Sequence, residues 1–202
     1  MKKILIIAII FLLNSPLFAF DINELGDFSS RSVIENKLYN RQTITQEQKD
    51  ILISKKLSPD TRCLIEQIKK GNYDNVQLLL SAKVNPNQSY MSEYPIYISA
   101  RENKFDILKL LYENNAKLDR GFYSELYEAL RNKNSDMAQY LLDKGAKVNY
   151  TDAVTNNTIL YMALKNKMYD HASQIIQKGA KADNRSVKYI AKHKLQYLIP
   201  QQ

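Results

Sequence analysis

Apolar residues along most of this chain recur at intervals of three and four, the spacing that gathers them on one face of an α-helix. After a polar lead over 21–30, a weak pattern at Ser32–Tyr39 puts Val33, Ile34 and Leu38 on one side. A cleaner start follows. Thr45 can cap a helix with Gln48 as its reciprocal partner, and Ile44 stands where an apolar staple belongs. With Ile51, Leu52 and Leu57 apolar, this predicts a helix from 45 to about 56, and Ser58-Pro59-Asp60 then marks a break and a new start. Beyond it, helical segments come in pairs. First members are predicted at Leu64–Lys69, Pro95–Arg101, Glu125–Arg131 and Ile159–Lys165. Second members carry Leu78-Leu79-Leu80, Leu108 with Leu110-Leu111, Tyr140-Leu141-Leu142, and Ile175-Ile176. Asp74, Asp106, Asp136 and Asp170 precede the second members, where the helix dipole favours a carboxylate.

Each pair ends in a related phrase: Lys83-Val84-Asn85-Pro86-Asn87, Asn115-Ala116-Lys117-Leu118-Asp119, Gly145-Ala146-Lys147-Val148-Asn149 and Gly179-Ala180-Lys181-Ala182-Asp183. Their last residues step by 32, 30 and 34 positions. A period near 33 residues with two helices per unit is the signature of a stacked repeat array.

These residues resemble the ankyrin repeat. That family opens its first helix with Thr-Pro-Leu-His-x-Ala. The matching stretches are Arg62-Cys63-Leu64-Ile65-Glu66-Gln67, Tyr94-Pro95-Ile96-Tyr97-Ile98-Ser99, Ser124-Glu125-Leu126-Tyr127-Glu128-Ala129 and Thr158-Ile159-Leu160-Tyr161-Met162-Ala163, with a half-unit at Ser186-Val187-Lys188-Tyr189-Ile190-Ala191. The four closing phrases match the family's Gly-Ala-Asp-x-Asn loop. The resemblance covers roughly 58–199. It implies an all-α ankyrin-repeat solenoid of about four helix-pair repeats (58–89, 90–120, 121–151 and 152–184), a capping half-repeat at 185–199, and short helices in 20–57 at the other end. The departures are specific. Tyr97, Tyr127, Tyr161 and Tyr189 replace the family's His, a column expected to be core with a polar tip. The turn glycine survives as Gly71, with Asn103, Lys133 and Lys167 at the matching places; Lys is costly in a left-handed turn. In the C-terminal half-unit, Val187, Ile190, Ala191, Leu195 and Leu198 are expected on one buried face, with Lys188, Lys192 and Lys194 elsewhere.

The N-terminus changes the expected location. Lys2 and Lys3 precede an unbroken apolar run from Ile4 to Leu13, then Asn14-Ser15-Pro16 and small Ala19. This predicts a secretory signal peptide over 1–19. The run is about half of the roughly 20 residues a spanning helix needs, so stable membrane insertion after cleavage is not expected. An exported protein is expected, periplasmic or else extracellular. The whole chain carries +8, and 27 basic against 21 acidic residues remain after residue 19. Such a balance suits an acidic protein or an anionic surface; nucleic acid is not expected outside the cell. Cys63 stands alone, so no intramolecular disulfide holds the fold, and an inert core thiol is expected.

Catalytic patterns are absent from the sequence. His171 and His193 are the only histidines and lack metal-ligand spacing, and no phosphate-binding glycine loop or nucleophile elbow occurs. No enzyme, cofactor or metal is therefore expected. A repeat slab buries each unit only against its neighbours and exposes a long open surface, which suits binding. Lys69, Arg101, Arg131 and Lys165 recur at the end of every first helix and predict a basic row for an acidic protein. At the loop tips stand Tyr90 and Met91, then Arg120, Phe122 and Tyr123, then Tyr150, residue types that anchor interfaces. The expected function is a non-catalytic protein-binding module, of inhibitor or immunity type by analogy. A secreted effector binding a host protein and an envelope-surface adhesion protein are the alternatives.

Overall fold

The computed structural model describes residues 44–199, so the predicted signal peptide and the helix at Ser32–Tyr39 lie outside the described residues. Among the described residues, ten α-helices and a closing 3-10 turn follow in order: α1 Gln46–Ser54, α2 Thr61–Lys70, α3 Tyr73–Ser81, α4 Pro95–Arg101, α5 Phe105–Glu113, α6 Glu125–Arg131, α7 Ser135–Asp143, α8 Ile159–Lys165, α9 Tyr169–Gln177, α10 Asn184–Lys192, and the turn at Gln196–Leu198. Only two isolated β-bridges occur among these residues, Tyr90 with Glu93 and Thr151 with Thr158. Helices α2/α3, α4/α5, α6/α7 and α8/α9 pair as antiparallel hairpins. First helices stack in the order α2, α4, α6, α8, α10, and second helices stack beside them. The result is an all-α solenoid of stacked helix pairs, as the resemblance to the ankyrin repeat implies.

Local chemistry sets the helix starts. The Thr45–Gln48 capping box forms in full at α1. The Asp60 side chain accepts from the Cys63 N–H at 2.8 Å, which starts α2 at Thr61, as the break at Ser58-Pro59-Asp60 predicts and three residues before the apolar run from Leu64. Ser124, Asn134, Thr158 and Asp183 cap α6, α7, α8 and α10 in the same way. Pro95 opens α4, where its missing N–H costs nothing. Helix α1 ends at Ser54, two residues before the expected end, because the chain enters a turn with Lys56 at φ 54°. The turns inside each hairpin place Gly71, Asn103, Lys133 and Lys167 at φ 74°, 55°, 56° and 60°. The lysines therefore carry the strain that the substitution pattern implies.

One continuous apolar core runs the length of the array, from Leu52 through Leu64, Ile96, Leu126 and Leu160 to Ile190. Two sets of side-chain hydrogen bonds hold neighbouring units in register. At the closing phrases, Asn87 Oδ1 accepts from Lys117 N–H at 2.9 Å, Asp119 Oδ2 from Lys147 N–H at 2.7 Å, and Asn149 Oδ1 from Lys181 N–H at 2.9 Å. At the first-helix ends, Asn132 Nδ2 donates to Ala100 O at 3.0 Å, and Asn166 Nδ2 to Leu130 O at 2.7 Å. Helix α1 packs on this array and is tied to it where Gln48 Nε2 donates to Ser81 Oγ at 3.2 Å.

The C-terminal half-unit departs from expectation. Ser186, Ile190, Leu195 and Leu198 are buried, whereas Val187 and Ala191 are exposed. With 100° between successive residues, Val187 and Ala191 lie around the helix from the side that Ser186 and Ile190 share. Helix α10 packs on α8 alone among first helices, so only that one side is covered.

Candidate functional site

Three loops project beside the first helices, at 85–94, 117–124 and 149–158, and are here termed fingers 1 to 3. Finger 1 is a two-residue hairpin. Tyr90 and Glu93 exchange backbone hydrogen bonds at 3.0 Å, with Met91 and Ser92 at φ 50° and 64° between them. Positive φ at both central positions is a type I′ turn, a geometry that favours Asn and Gly. Finger 2 turns at Gly121, φ 78°, where a Cβ would come within 3.1 Å of the Tyr94 ring. In finger 3, Asp152 Oδ1 accepts from both the N–H and Oγ1 of Thr155, and Asp152 N–H donates to Asn157 O.

Each tip exposes one apolar side chain: Met91 at 82%, Phe122 at 89% and Val154 at 92%. They stand 31 and 32 residues apart, one at the tip of each of three successive loops. Sequence reasoning missed Val154 and took Tyr150 for that tip. No register step marked it: across this interval the closing phrases step by 30 and the first-helix openings by 34, and Val154 lies 32 beyond Phe122.

Two of the other tip aromatics pack against first-helix rings, Tyr123 while keeping 39% of its surface exposed. Tyr123 stacks on Tyr97 with ring centroids 4.5 Å apart, Tyr150 meets Tyr127 edge-on at 5.6 Å, and Arg120 lies over the Tyr94 ring at 5.3 Å. Tyr90 stays partly exposed, 39% of its surface facing solvent. The Tyr column is core in its middle: Tyr97 and Tyr127 are buried, and Tyr161 and Tyr189 are half-buried towards the end of the array. Its polar tips cross between units. Tyr97 Oη donates to Glu128 Oε1 at 3.1 Å, and Tyr127 Oη lies 3.0 Å from Thr155 Oγ1. Burial and the Glu128 carboxylate both push the Tyr97 phenol well above its usual range.

The basic row exists in position, and most of its charge is met inside the chain. Glu93 bridges two members, accepting from Lys69 Nζ at 3.2 Å and from Arg101. Burial pushes the Glu93 carboxyl up, but these two cations outweigh it and hold it below the usual carboxylate range. Arg131 Nε lies 2.6 Å from Glu128 Oε2. Lys165 makes no ion pair among the described residues. Sequence reasoning missed Glu93 and Glu128 as partners of this row; the spacing of Glu128 three residues before Arg131 on one helix was the signal for one of them.

Under finger 2 lies a buried carboxyl. Glu125 is fully buried at the first position of α6, where α4 has Pro95. Its Oε2 accepts from the Asp119 N–H at 2.9 Å, while Oε1 has no hydrogen-bond partner among the described residues. Burial pushes Glu125 up to about 7; backbone hydrogen bonds oppose the rise and the nearby Asp119 carboxylate adds to it. Cys63 is buried on α2, and burial raises its thiol to about 11, which keeps it protonated and unreactive.

No group of three His, Cys, Asp or Glu side chains among the described residues could hold a metal ion. No helix of the described residues is long and apolar enough to cross a membrane. A depression of about 620 Å³ lies away from the fingers between Gly71, Phe105, Lys109 and Glu113 and is open to solvent.

Comparison with known proteins agrees with the geometry. A stretch of 77 residues, 35% of this chain, is 34% identical to alpha-latroinsectotoxin-Lt1a of Latrodectus tredecimguttatus, and this chain spans only 5% of that protein's length. The family profile described as ankyrin repeats (3 copies) matches residues 64–152, the span from α2 into finger 3. Residues 64–152 are thus ankyrin repeats by sequence as well as by geometry, and α8, α9 and α10 continue the same stacking beyond them.

Proposed function

We propose that this chain is a non-catalytic protein-binding module that grips its partner with the three fingertips and the first-helix face behind them. The observation that carries this reading is the repeated exposure of one apolar side chain per finger, at Met91, Phe122 and Val154. Single exposed apolar residues scattered over a surface are ordinary; one at the tip of each of three successive loops is a recurrence, and a partner that covers them accounts for it. The scaffold behind them is set by stacking and hydrogen bonds, so little ordering entropy is lost on binding. Ankyrin repeats generally bind proteins, and the stacked units among the described residues present an open surface that suits such binding.

The partner is acidic in this reading. Lys165 and the closing-phrase lysines Lys117, Lys147 and Lys181 form no ion pair among the described residues, which leaves their charge available to a partner. Lys69, Arg101 and Arg131 instead act as struts that fix finger 1 and the α6 surface. An inhibitor or immunity-type role outside the cytoplasm fits the apolar N-terminal run. The test is capture from extracts of the source cells with the wild type and with a Met91→Ser, Phe122→Ser, Val154→Ser variant. The variant should keep its helical circular dichroism and lose the captured protein; equal capture would refute fingertip recognition.

A further inference from the structure

The excess positive charge of this chain is not spread along the array. Residues 158–199 hold eight basic side chains, seven Lys and one Arg, against Asp170 and Asp183, a balance of +6 in 42 residues. Residues 44–157 hold 16 basic against 15 acidic, a balance of +1 in 114 residues. The salt bridges among the described residues all lie in the larger segment, between Arg62 and Arg131. None of the eight cations beyond residue 158 is in an ion pair among the described residues. Asp183 is occupied instead as the α10 cap, accepting from Ser186 and Thr158.

The same end carries uncovered apolar surface. Helices α4 and α6 each bury six of their seven residues, because a first helix lies on either side of them. Helix α10 buries only Ser186 and Ile190. On its outward side, 100° per residue places Val187, Ala191, Lys188 and Lys192 together. Just beyond the helix, Tyr197 is 69% exposed, with Lys194 and Ile199 also exposed. Among the described residues, the α10 end of the stack is therefore lysine-rich, with exposed apolar side chains on α10 and in the turn after it.

From this we propose a second binding surface: the outward face of α10 and the turn after it docks on anionic lipid bilayers. Three features favour a bilayer over other occupants. The charge is nearly all lysine, a residue depleted from protein–protein interfaces, whereas a bilayer surface attracts Lys and Arg alike. Lysine can lay its alkyl stem on an apolar surface while its ammonium reaches the phosphates. A second copy is disfavoured because two faces of like charge would meet. Val187, Tyr197 and Ile199 would enter the headgroup region, and Lys188, Lys192 and Lys194 would pair with lipid phosphates. This surface is separate from the fingertips and does not rest on the function proposed above.

The chain contains no tryptophan, so Tyr197→Trp installs a single local fluorophore. The full chain would be mixed with phosphatidylcholine vesicles, either pure or carrying a substantial fraction of phosphatidylglycerol, at low and high salt. The emission of the Tyr197→Trp variant should shift to the blue with anionic vesicles only, and the shift should weaken at high salt, while a Phe122→Trp reporter at a fingertip should not move. Replacing Lys188, Lys192 and Lys194 with Gln should weaken vesicle affinity by about a hundredfold, since each Lys near an anionic surface is worth about 1 kcal/mol; the same change at Lys70, Lys117 and Lys147 should have a far smaller effect. Equal shifts with both vesicle types, no shift in the Tyr197→Trp variant, or equal losses in the two triple variants would each overturn the proposal.

Discussion

At the scale of single residues, the positions that break the repeat pattern are those where stability and binding pull apart. Met91 and Ser92 hold a turn geometry that suits Asn and Gly, and Met91 nevertheless points an apolar side chain into solvent. Replacing the pair by Met91→Asn and Ser92→Gly is expected to raise stability by about 1 kcal/mol in urea titration, through relief of left-handed strain, while weakening partner capture. Lys133→Gly should stabilise by a similar amount, about 1 kcal/mol, with no effect on capture, because Lys133 lies in the turn between α6 and α7, away from the tips. Glu125 gives the array a pH dependence. Its carboxyl titrates near 4.3 in an unfolded chain and is pushed up to about 7 in the fold. The folded state thus binds the proton more tightly. The stabilisation is fully present below the unfolded value and is lost as pH rises to about 7. The urea midpoint of the wild type should therefore fall as pH rises through this window, and Glu125→Gln should flatten that fall. An unchanged slope in the variant would assign the pH dependence elsewhere.

At the scale of elements, apolar spacing and capping residues were enough to place α4, α6 and α8 at their observed bounds, because each buries nearly its whole circumference and begins at Pro95 or beside a side-chain cap. Helix α2 begins earlier than its apolar run because Asp60, not the first leucine, sets its start. The turn lysines were recognisable as left-handed positions by register with Gly71. Partners in space were harder to read. Glu93 lies 24 residues from Lys69, and nothing local links them. Likewise, the packing of Tyr123 and Tyr150 depends on rings from the preceding first helices. The closing-phrase ladder also has an odd member. Asn87 and Asn149 each accept from the next unit and donate back to it, to Asn115 O and Gly179 O. Asp119 at the equivalent place can only accept, and burial raises its carboxyl. Asp119→Asn should restore the donated bond and stabilise by about 1 kcal/mol, measured by denaturation at mildly alkaline pH, where the wild-type carboxyl is ionised.

For the molecule as a whole, stacking makes each unit answerable mainly to its neighbours, so damage at the centre should cost more than damage at an end. Tyr127, buried between α6 and finger 3, should lose about 3–5 kcal/mol on truncation to Ala, and half-buried Tyr189 in the last helix should lose less. The two ends of the array differ in kind. Among the described residues, one is covered by α1 and belongs to the nearly neutral segment, while the other, at α10, is lysine-rich and partly apolar. Along the side between them run the fingers, each braced at its base and apolar at its tip.

Site-specific photocrosslinking in the native cells tests this sidedness most directly, because it works whatever the partner is. A photoreactive phenylalanine would be placed at Met91, Phe122 and Val154, and in parallel at Gln77, Glu113 and Asp143, exposed positions on the second helices. A common adduct from the three fingertip positions, with none from the second helices, is the predicted result. Adducts that arise only from Gln77, Glu113 and Asp143 would contradict recognition through the fingers.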